Sequence, residues 1–508
     1  MNELTKIYHQ AIANYQKKEY ADAIKACDYI LQQSPKSHQT LSLKGLILSD
    51  NKKYIQALQF FQQSIAIKKS EVVYNNIGNL YSALLQYDLA HEYYDLGLAI
   101  KPTYVDCLFN KGNCYKTQGQ FELAIEWYQK ALKYDPKYVF ALNNLSVCYQ
   151  HLQDFEKSNE VNLKALKFYP NADFLHNNLA YGYQTLGDLD KAIYHFKRAA
   201  ELNPESDAEF NLGFVYLLQG DWDKGWAGHE LRTRTKFSYM QMPNLWNGED
   251  LTDKTILIHH EQGLGDMLQF IRYVKLVKSY NPKQIIVFTF ASLNKLLSSM
   301  PEIDRIIDSL DAEVYFDYQC PVMTLPYIFK TTPDNIPDFT YLKADTKKVE
   351  YFTQKLSTNK LKVGIVWSGG FRADRPDVWA VNERRNIPLE KIKPLLELDC
   401  EWVSLQHGQT VDGLNNLIYE CKDFADTAAL IESLDLVISV DTSTCHVAGA
   451  IGKKTWMLNR HDSCWRWLRI GNTTKWYPNM TIYRQDKFNN WDNVILDVKR
   501  DLTHLLNE

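Results

Sequence analysis

Apolar residues in the first half of the chain recur at the three- and four-residue spacing of amphipathic helices, and the whole pattern returns every 34 residues. Four segments with this period align in register, and each closes on a proline: 75–102, 109–136, 143–170 and 177–204. Weaker copies occupy residues 4–37 and 38–71, and a seventh begins near residue 207. The pattern therefore predicts seven pairs of helices that end near residue 235.

The residues at fixed positions of these units follow a recognisable order. A small residue and then a tyrosine mark the first helix, an alanine and an aromatic residue mark the second, and a proline closes the unit. With its 34-residue period, this order resembles the tetratricopeptide repeat. The resemblance implies an α-solenoid over residues 1–235, in which each unit needs its neighbours to bury its apolar face.

Beyond residue 254 the pattern changes to short β-branched strands that alternate with helical runs. The candidate strands are TILIHH, QIIVFTF, RIIDSL, AEVYFDY, KVGIVWSG, EWVSLQ, CKDF, LDLVISVD and KKTWMLN. Strands spaced in this way predict parallel α/β sheets. A break at 340–363 divides them into two Rossmann-like domains, 255–345 and 360–508, the second of which ends in a helix. Ligands of such sheets bind beyond the carboxyl ends of the strands.

A polar, turn-rich segment, 236–254, separates the repeats from the first of these domains. It shows neither the 34-residue repeat of the first half nor the alternating strands and helices of the second, so we predict a linker. Met242, Leu245 and Trp246 are its apolar residues, and we expect them to pack on the domain that follows.

Composition narrows the classes of function. The chain has 508 residues and a formal charge of −4, which gives no general attraction to nucleic acid. Its start, MNELTKIYHQ, has no apolar core of a signal peptide, and no run of 18 apolar residues occurs, so we expect no membrane insertion. Nine cysteines occur without a CxxC pair, which predicts reduced thiols and a cytoplasmic protein.

One polar position recurs in the repeats, two residues before the small residue of the first helix. The residues there are Asn76, Asn110, Asn144, Asn178 and, one residue short of the period, Asn211. An amide both donates and accepts, which matches the backbone of an extended peptide. The pattern resembles the asparagine ladder of the eukaryotic protein O-GlcNAc transferases, which implies an acceptor polypeptide along the concave repeat surface. The alternative is that each Asn only bonds a neighbouring turn.

The stretch EQGLGDMLQF carries the first candidate chemistry of the α/β half. It follows the strand TILIHH and leads into a helix, so Gly263 and Gly265 permit a close approach of an acceptor to the backbone. Asp266 is our candidate general base, although an Asp at this point also serves as a helix cap. Glu261 is a nearby carboxylate that we expect to orient Asp266 or to bond the backbone.

A second turn suits a diphosphate. In LDLVISVDTSTCHVAGAIG, a buried strand ends at Asp441 and a helix follows, so Thr442, Ser443 and Thr444 offer N–H groups and hydroxyls at a helix N-terminus. His446, one turn into that helix, is able to donate to a phosphate or sugar oxygen. The alternatives are that Asp441 only caps the helix and that His446 only packs.

Residues near another strand end complete the predicted donor site. Trp367, Ser368 and Gly369 end the strand KVGIVWSG, and we assign Gln406, at the end of EWVSLQ, to the same site. Arg384 and Arg385 lie just before Pro388, and an arginine there offers a forked donor to phosphate, although such pairs are more often surface residues.

These motifs together resemble a known family. The match covers about 255–490, and its specific parts are the LGD turn, the VWSG strand end, the arginine three residues before Pro388 and the DTxxxH pattern. They resemble the bacterial GT-B glycosyltransferases related to the lipopolysaccharide heptosyltransferases, which include protein-modifying members fused to tetratricopeptide repeats. The resemblance implies that Asp266 is the catalytic carboxylate, that Arg385 neutralises the donor diphosphate and that the turn from Asp441 to His446 holds phosphate and sugar.

We therefore expect an inverting glycosyltransferase that moves a sugar from a nucleotide-diphosphate sugar to a protein acceptor. No DxD pair occurs after residue 240, so we expect no metal and no other cofactor. A long segment, FRADRPDVWAVNE, and a Thr-Ser-Thr-Cys turn in place of Thr-Gly depart from the family and leave the donor open. A lipopolysaccharide-core sugar transferase and an inactive repeat scaffold are the alternatives.

Overall fold

The computed structural model describes residues 3–234, 242–310, 314–337, 339–356, 358–370 and 383–508. The chain forms two compact units, Met1–Gly182 and Tyr183–Glu508. The predicted domain boundaries at 235, 255, 345 and 360 stay predictions.

Fourteen helices follow one another between residues 3 and 230, as seven pairs. The first helices of the pairs are α1 Glu3–Gln16, α3 His38–Asp50, α5 Glu71–Ala83, α7 Val105–Thr117, α9 Val139–His151, α11 Asp173–Leu186 and α13 Ala208–Gln219. The second helices are α2 Tyr20–Gln33, α4 Tyr54–Ile67, α6 Tyr87–Ile100, α8 Phe121–Tyr134, α10 Phe155–Leu166, α12 Leu189–Leu202 and α14 Trp222–Glu230. The seven predicted repeats are confirmed.

Small residues in the first unit let the two helices of a pair approach closely. A Cβ built on Gly78 would lie 2.6 Å from the ring of Tyr94, and one on Gly112 would lie 2.7 Å from Tyr128. Both tyrosines are buried. The small residue and the aromatic residue of each repeat are therefore one packing contact, which explains why they recur together.

The second unit contains the end of α11, the helix α12, the last repeat and both α/β sheets. The Trp226 indole, on α14, donates to the backbone oxygen of Thr331 at 2.8 Å and packs edge-on against Trp465. In the predicted linker, Trp246 is fully buried against Tyr280. The linker thus packs on the first α/β domain, as expected, within its described part from residue 242 onward.

The first sheet has four parallel strands in the order β3-β2-β1-β4. They are β1 Thr255–His259, β2 Gln284–Phe288, β3 Arg305–Ile307 and β4 Tyr318–Pro321. Four short helices accompany them: α15 Leu264–Phe270, α16 Val274–Lys278, α17 Asn294–Leu297 and α18 Leu325–Ile328. All five residues of β1 are buried, as expected of a central strand covered on both faces.

The second sheet has five parallel strands in the order β6-β5-β7-β8-β9. They are β5 Lys362–Val366, β6 Glu401–Ser404, β7 Leu436–Val440, β8 Thr455–Asn459 and β9 Met480–Arg484. Its helices are α19 Thr346–Lys355, α20 Leu389–Leu396, α21 Phe424–Glu432, α22 Ser443–Ala450 and the C-terminal α23 Asp492–Asn507. The α-solenoid followed by α/β sheets is confirmed.

Three strand predictions were wrong or missing. The segment CKDF is not a strand, because Asp423 caps α21 by accepting from the backbone N–H groups of Ala425 and Asp426. The segment AEVYFDY was placed too early: β4 begins only at Tyr318, and residues 311–313 lie outside the described residues. Strand β9 was missed, although its sequence MTIYR is rich in residues that favour strands.

The cysteines match the expectation of reduced thiols. All nine are free, and seven of them are buried. Burial raises the pKa of the Cys148 thiol to about 12, which makes it a packing residue without thiolate character. Within the ranges that the structure describes, no helix combines the length and the apolar character that crossing a bilayer requires.

Candidate active site

A cavity of about 480 Å³ lies between the two sheets of the second unit, at the carboxyl ends of β1, β5 and β7. Residues that the sequence predicted as a site form much of its lining: Gly263, Gly265, Asp266, Ser368, Gly369, Arg385, Gln406, Asp441, Thr442, Ser443, Thr444 and His446. These residues come from five separate segments of the chain, and the two α/β domains bring them together. This is where parallel sheets bind ligands.

The carboxylate of Asp266 has two different partners. One oxygen, Oδ2, accepts the backbone N–H of Gly263 at 2.8 Å, which caps α15. The other, Oδ1, forms an ion pair with Arg466. Asp266 thus caps its helix through Oδ2, which is the alternative that the sequence left open. Its second oxygen, Oδ1, faces Arg466, which lines the cavity from the segment after β8.

Arg466 is the functional candidate that the sequence did not reveal. Its Nε donates to Gln269 Oε1 at 2.6 Å, and its guanidinium lies 4.4 Å from the ring centre of Trp465. Burial by itself disfavours its charge, but Cys464 and Asp266 outweigh that effect and raise the pKa of Arg466 above its ordinary value. The only sequence signal was its place between two tryptophans, in CWRWLR.

His446 both packs and lines the cavity. Its Nδ1 lies 3.0 Å from the hydroxyl of Tyr477, and its ring stacks on Trp467. Burial lowers the pKa of His446 to about 4, so the imidazole is neutral at neutral pH. A Cβ on Gly265 would lie 2.9 Å from the ring, so glycine is needed at that position for a spatial reason.

The two arginines before Pro388 have different surroundings. Arg384 is buried and pairs with Asp462, its Nε lying 2.9 Å from Oδ2. Arg385 lines the cavity and donates to the backbone oxygen of Asp441 at 3.1 Å. Of the two arginines, Arg385 is therefore the one that faces the cavity.

Gln406 organises the turn after β5. Its Oε1 accepts the backbone N–H groups of Trp367, at 3.3 Å, and Ser368, at 3.0 Å. The Trp367 side chain is only 2% exposed and donates to Gln409 at 3.2 Å. Trp367 is thus the one predicted donor-site residue that does not line the cavity, because its indole belongs to the core.

The turn after β7 has the predicted arrangement at a helix N-terminus. Thr442 is the N-cap of α22 in an extended conformation, and its hydroxyl lies 3.2 Å from that of Ser439. Ser443 and Thr444 follow in the first turn and face the cavity. Asp441 Oδ1 lies 3.9 Å from His446 Nε2, so this carboxylate contacts the imidazole rather than capping the helix.

Glu261 has a different partner from the one expected. It pairs with the buried Arg232, whose Nη2 lies 2.8 Å from Oε2. Arg232 also binds Glu230 and the hydroxyl of Thr324. Glu261 therefore anchors the turn before Asp266 to the end of the last repeat. Among the described residues it bonds Arg232, and neither Asp266 nor the backbone as expected.

The repeated asparagines are all partly exposed. In the first unit, three of them donate from Nδ2 to an asparagine of the preceding repeat: Asn110 to Asn75 at 3.1 Å, Asn144 to Asn113 at 2.8 Å and Asn178 to Asn143 at 2.8 Å. Asn76 belongs to the same unit, and Asn211 to the second. The Nδ2 groups of these three asparagines are thus used in bonds between neighbouring repeats. This is close to the alternative given above, in which each Asn only bonds a neighbouring turn.

Family models match the chain in its repeats. Residues 105–138 and 174–206 match a tetratricopeptide repeat model, and residues 72–104 and 127–158 match two further ones. Residues 5–54 match the Fis1 C-terminal tetratricopeptide repeat. The matched residues, 5–54, 72–158 and 174–206, are thus tetratricopeptide repeats, units that stack on their neighbours.

A curated relative aligns with more than the repeats. Protein FlbA of Caulobacter vibrioides is 24% identical over 331 residues, which cover 56% of this chain and 53% of FlbA. The chain thus spans about half the length of this relative. Because the repeats end before the middle of the chain, an alignment over 56% of it also includes part of the α/β half.

Solved structures give low similarity scores. The C-terminal part of a tetratricopeptide repeat-containing protein from Cytophaga hutchinsonii is 17% identical and has a TM-score of 0.37, covering 46% of this chain and 96% of that one. A tetratricopeptide repeat protein from Parabacteroides merdae is 16% identical with the same TM-score, covering 46% and 94%.

Proposed function

We propose that this protein is a metal-independent inverting glycosyltransferase that moves a sugar from a nucleotide-diphosphate sugar to a protein acceptor bound along the repeats. The observation that carries the proposal is that Asp266, from the first α/β domain, and the helix N-terminus at Thr442 to Thr444, from the second, line one cavity. The motif resemblance to heptosyltransferase-like GT-B enzymes supports it independently.

The donor half of the cavity has the charges that a leaving nucleotide needs. When the bond from the sugar to the diphosphate breaks, the electron pair stays on the phosphate oxygen. Arg385 and the N–H groups at the start of α22 are the donors on which that oxygen would be held. A preorganised donor of this kind is typically worth about a hundred- to a thousandfold in rate.

The acceptor half supplies the base. The nucleophilic oxygen or nitrogen of the acceptor attacks the sugar carbon from the face opposite the diphosphate, and its proton passes to the carboxylate of Asp266. Attack from that face inverts the configuration at the sugar carbon. General base catalysis of this kind contributes about 10² to 10⁴ in rate.

The first experiment screens nucleotide sugars by thermal shift, since a ligand that binds only the folded form raises the Tm. The sugar that raises it is then tested for transfer with the wild type and with Asp266→Asn, which keeps the size of the side chain and its cap to Gly263. We expect the variant to bind the donor and to lose transfer by at least about a hundredfold. Full turnover by the variant would remove Asp266 as the base. A glycolipid product would favour the lipopolysaccharide-core transferase, and no binding of any nucleotide sugar would favour the inactive scaffold.

The second experiment addresses the acceptor surface. Replacing Asn144 and Asn178 together with alanine is expected to reduce transfer to a degenerate peptide library while donor hydrolysis stays unchanged. The matched control replaces Gln62 and Gln63, exposed amides of the second helix α4, with alanine. Equal transfer by both double variants, with equal Tm, would assign the asparagines to bonding between repeats only.

A further inference from the structure

The described residues that line the cavity carry balanced charges. Arg385 and Arg466 contribute two positive charges, and Asp266 and Asp441 contribute two negative ones. His446 adds none, because burial keeps it neutral at neutral pH. A nucleoside diphosphate brings at least two negative charges of its own, which Arg385 alone does not balance, so a second cation that left its carboxylate would favour binding.

We propose that Arg466 is the residue that exchanges: it holds Asp266 while the cavity has no donor, and it moves to the donor diphosphate when one binds, which releases Asp266 to act as the base. This inference rests on the proposed function and adds a regulation of the same site. Arg466 thereby couples the readiness of the base to the presence of the donor. It is a donor-binding and positioning residue, and the base itself stays Asp266.

The contacts of Arg466 suit such an exchange. Its inner nitrogen, Nε, is fixed by Gln269 Oε1, and the flat group lies against Trp465 and Phe270. Of its outer nitrogens, Nη2 pairs with Asp266, and Nη1 donates to Cys464 Sγ at 3.3 Å. Because sulfur is a weak acceptor, a small rotation about the fixed end would redirect Nη2 at the loss of that one weak bond.

The contacts of Asp266 also suit it. Oδ2 accepts the Gly263 N–H at 2.8 Å, a bond that does not involve Arg466, so we expect the carboxylate to stay in place when it is released. Oδ1 is the oxygen that pairs with Arg466, and it is the oxygen that would take the acceptor's proton. While the pair holds, Arg466 occupies the position at Oδ1 that an acceptor hydroxyl or amine would need. Loss of the pair thus opens Oδ1 to the acceptor at the time when a donor is in place.

The test is a thermodynamic cycle on donor binding, which does not need turnover. Its probes are UDP, GDP, ADP and CDP, and the Kd of whichever raises the Tm is measured for the wild type, Asp266→Asn, Arg466→Gln and the double variant. If Asp266 competes with the diphosphate for Arg466, Asp266→Asn binds about tenfold more tightly, which corresponds to the loss of one charge-assisted bond of about 1.4 kcal/mol. Arg466→Gln binds about tenfold or more weakly.

The double variant separates exchange from simple charge removal. Exchange predicts that Asp266→Asn has no effect on the Kd once Arg466 is Gln, whereas simple charge removal predicts the same tightening in both backgrounds. Should Arg466→Gln fail to fold, Arg466→Met, which also removes the charge and is of similar length, replaces it in the same cycle. Unchanged or weaker binding by Asp266→Asn overturns the exchange while leaving the glycosyltransferase proposal intact. Failure of all four nucleotides and of every nucleotide sugar to bind the wild type overturns both.

Discussion

The buried cluster around Arg232 gives the sharpest prediction about stability. Arg232 is 1% exposed. It pairs with Glu230, at the end of α14, and with Glu261, in the turn between β1 and α15. Replacing Arg232 with Gln keeps a polar side chain of similar reach and removes the charge. Both carboxylates then stay buried with no opposite charge from that position.

The magnitude follows from the burial. Glu230 and Glu261 are 16% and 9% exposed, so water cannot replace the lost cation. Breaking a buried ion pair by removing one partner typically costs about 3–5 kcal/mol. At about 2 °C or more per kcal/mol, the Tm of the second unit is expected to fall by about 6 °C or more.

The fall in Tm caused by Arg232→Gln should depend on pH, and its direction can be worked out. Burial alone would raise the pKa of Glu230, but Arg232 outweighs it and holds that pKa below its usual value. In the wild type this stabilisation is present above the ordinary pKa of a glutamate and is lost only as the pH falls through the depressed value. Without Arg232, burial raises the pKa of Glu230, and the carboxyl is neutral at a higher pH. The difference in Tm between wild type and variant should therefore shrink from pH 7.5 to pH 5.5.

The assay is thermal unfolding of the full chain followed by circular dichroism at both pH values. Arg198→Gln is the matched control, because Arg198 pairs with Glu201 on the surface of the same unit and its loss is expected to cost less than about 1 kcal/mol. A fall in Tm for Arg232→Gln no larger than that of the control, or one that is equal at the two pH values, would refute the reasoning.

Two further predictions concern the cavity. A Cβ on Gly369 would lie 2.2 Å from Nη2 of Arg385, so Gly369→Ala should displace that arginine and weaken nucleoside diphosphate binding about tenfold in a calorimetric titration. Gly370→Ala, whose Cβ would meet none of the described residues within 4 Å, should bind like the wild type, and equal losses in both would contradict the role of Arg385. Because burial lowers the pKa of His446 to about 4, the unfolded chain takes up this proton first as the pH falls, and stability should decline between about pH 6.5 and pH 4. Denaturant titrations of His446→Asn should show a smaller decline, and an identical slope would contradict the shift.

Much of this fold could be predicted from sequence because its signals are periodic. The 34-residue period reports which residues must pack, since Gly78 and Tyr94 are two halves of one contact. The strand ends with LGD, VWSG and DTSTCH could also be placed, because chain turns at the carboxyl ends of parallel strands meet at one edge. Trp367 was predicted to line the donor site and is instead buried in the core. From sequence alone, an aromatic residue at a strand end is equally compatible with packing in the core and with stacking on a ligand.

The charges of the site could not be predicted in the same way. Arg466 meets Asp266 across 200 positions of sequence, and Arg232 meets Glu261 across the junction between repeats and sheets. In each pair the two residues belong to different elements, so no spacing along the sequence indicates that they are in contact. Likewise, Asp423 was taken for part of a strand, because its role as a cap depends on the helix that follows and not on its own neighbours.

The division of the chain at Gly182 has a practical consequence for anyone who wishes to redirect this protein. Trp226 of α14 and Arg232, which follows that helix, bond Thr331 and Glu261 of the α/β half, so the last helix pair is fixed to that half. Exchanging the helix pairs before α11 would keep these bonds, and a cut near residue 255, before the first sheet, would remove them. Chimeras should therefore be joined in the turn at residues 167–172, which precedes α11, so that no helix is cut.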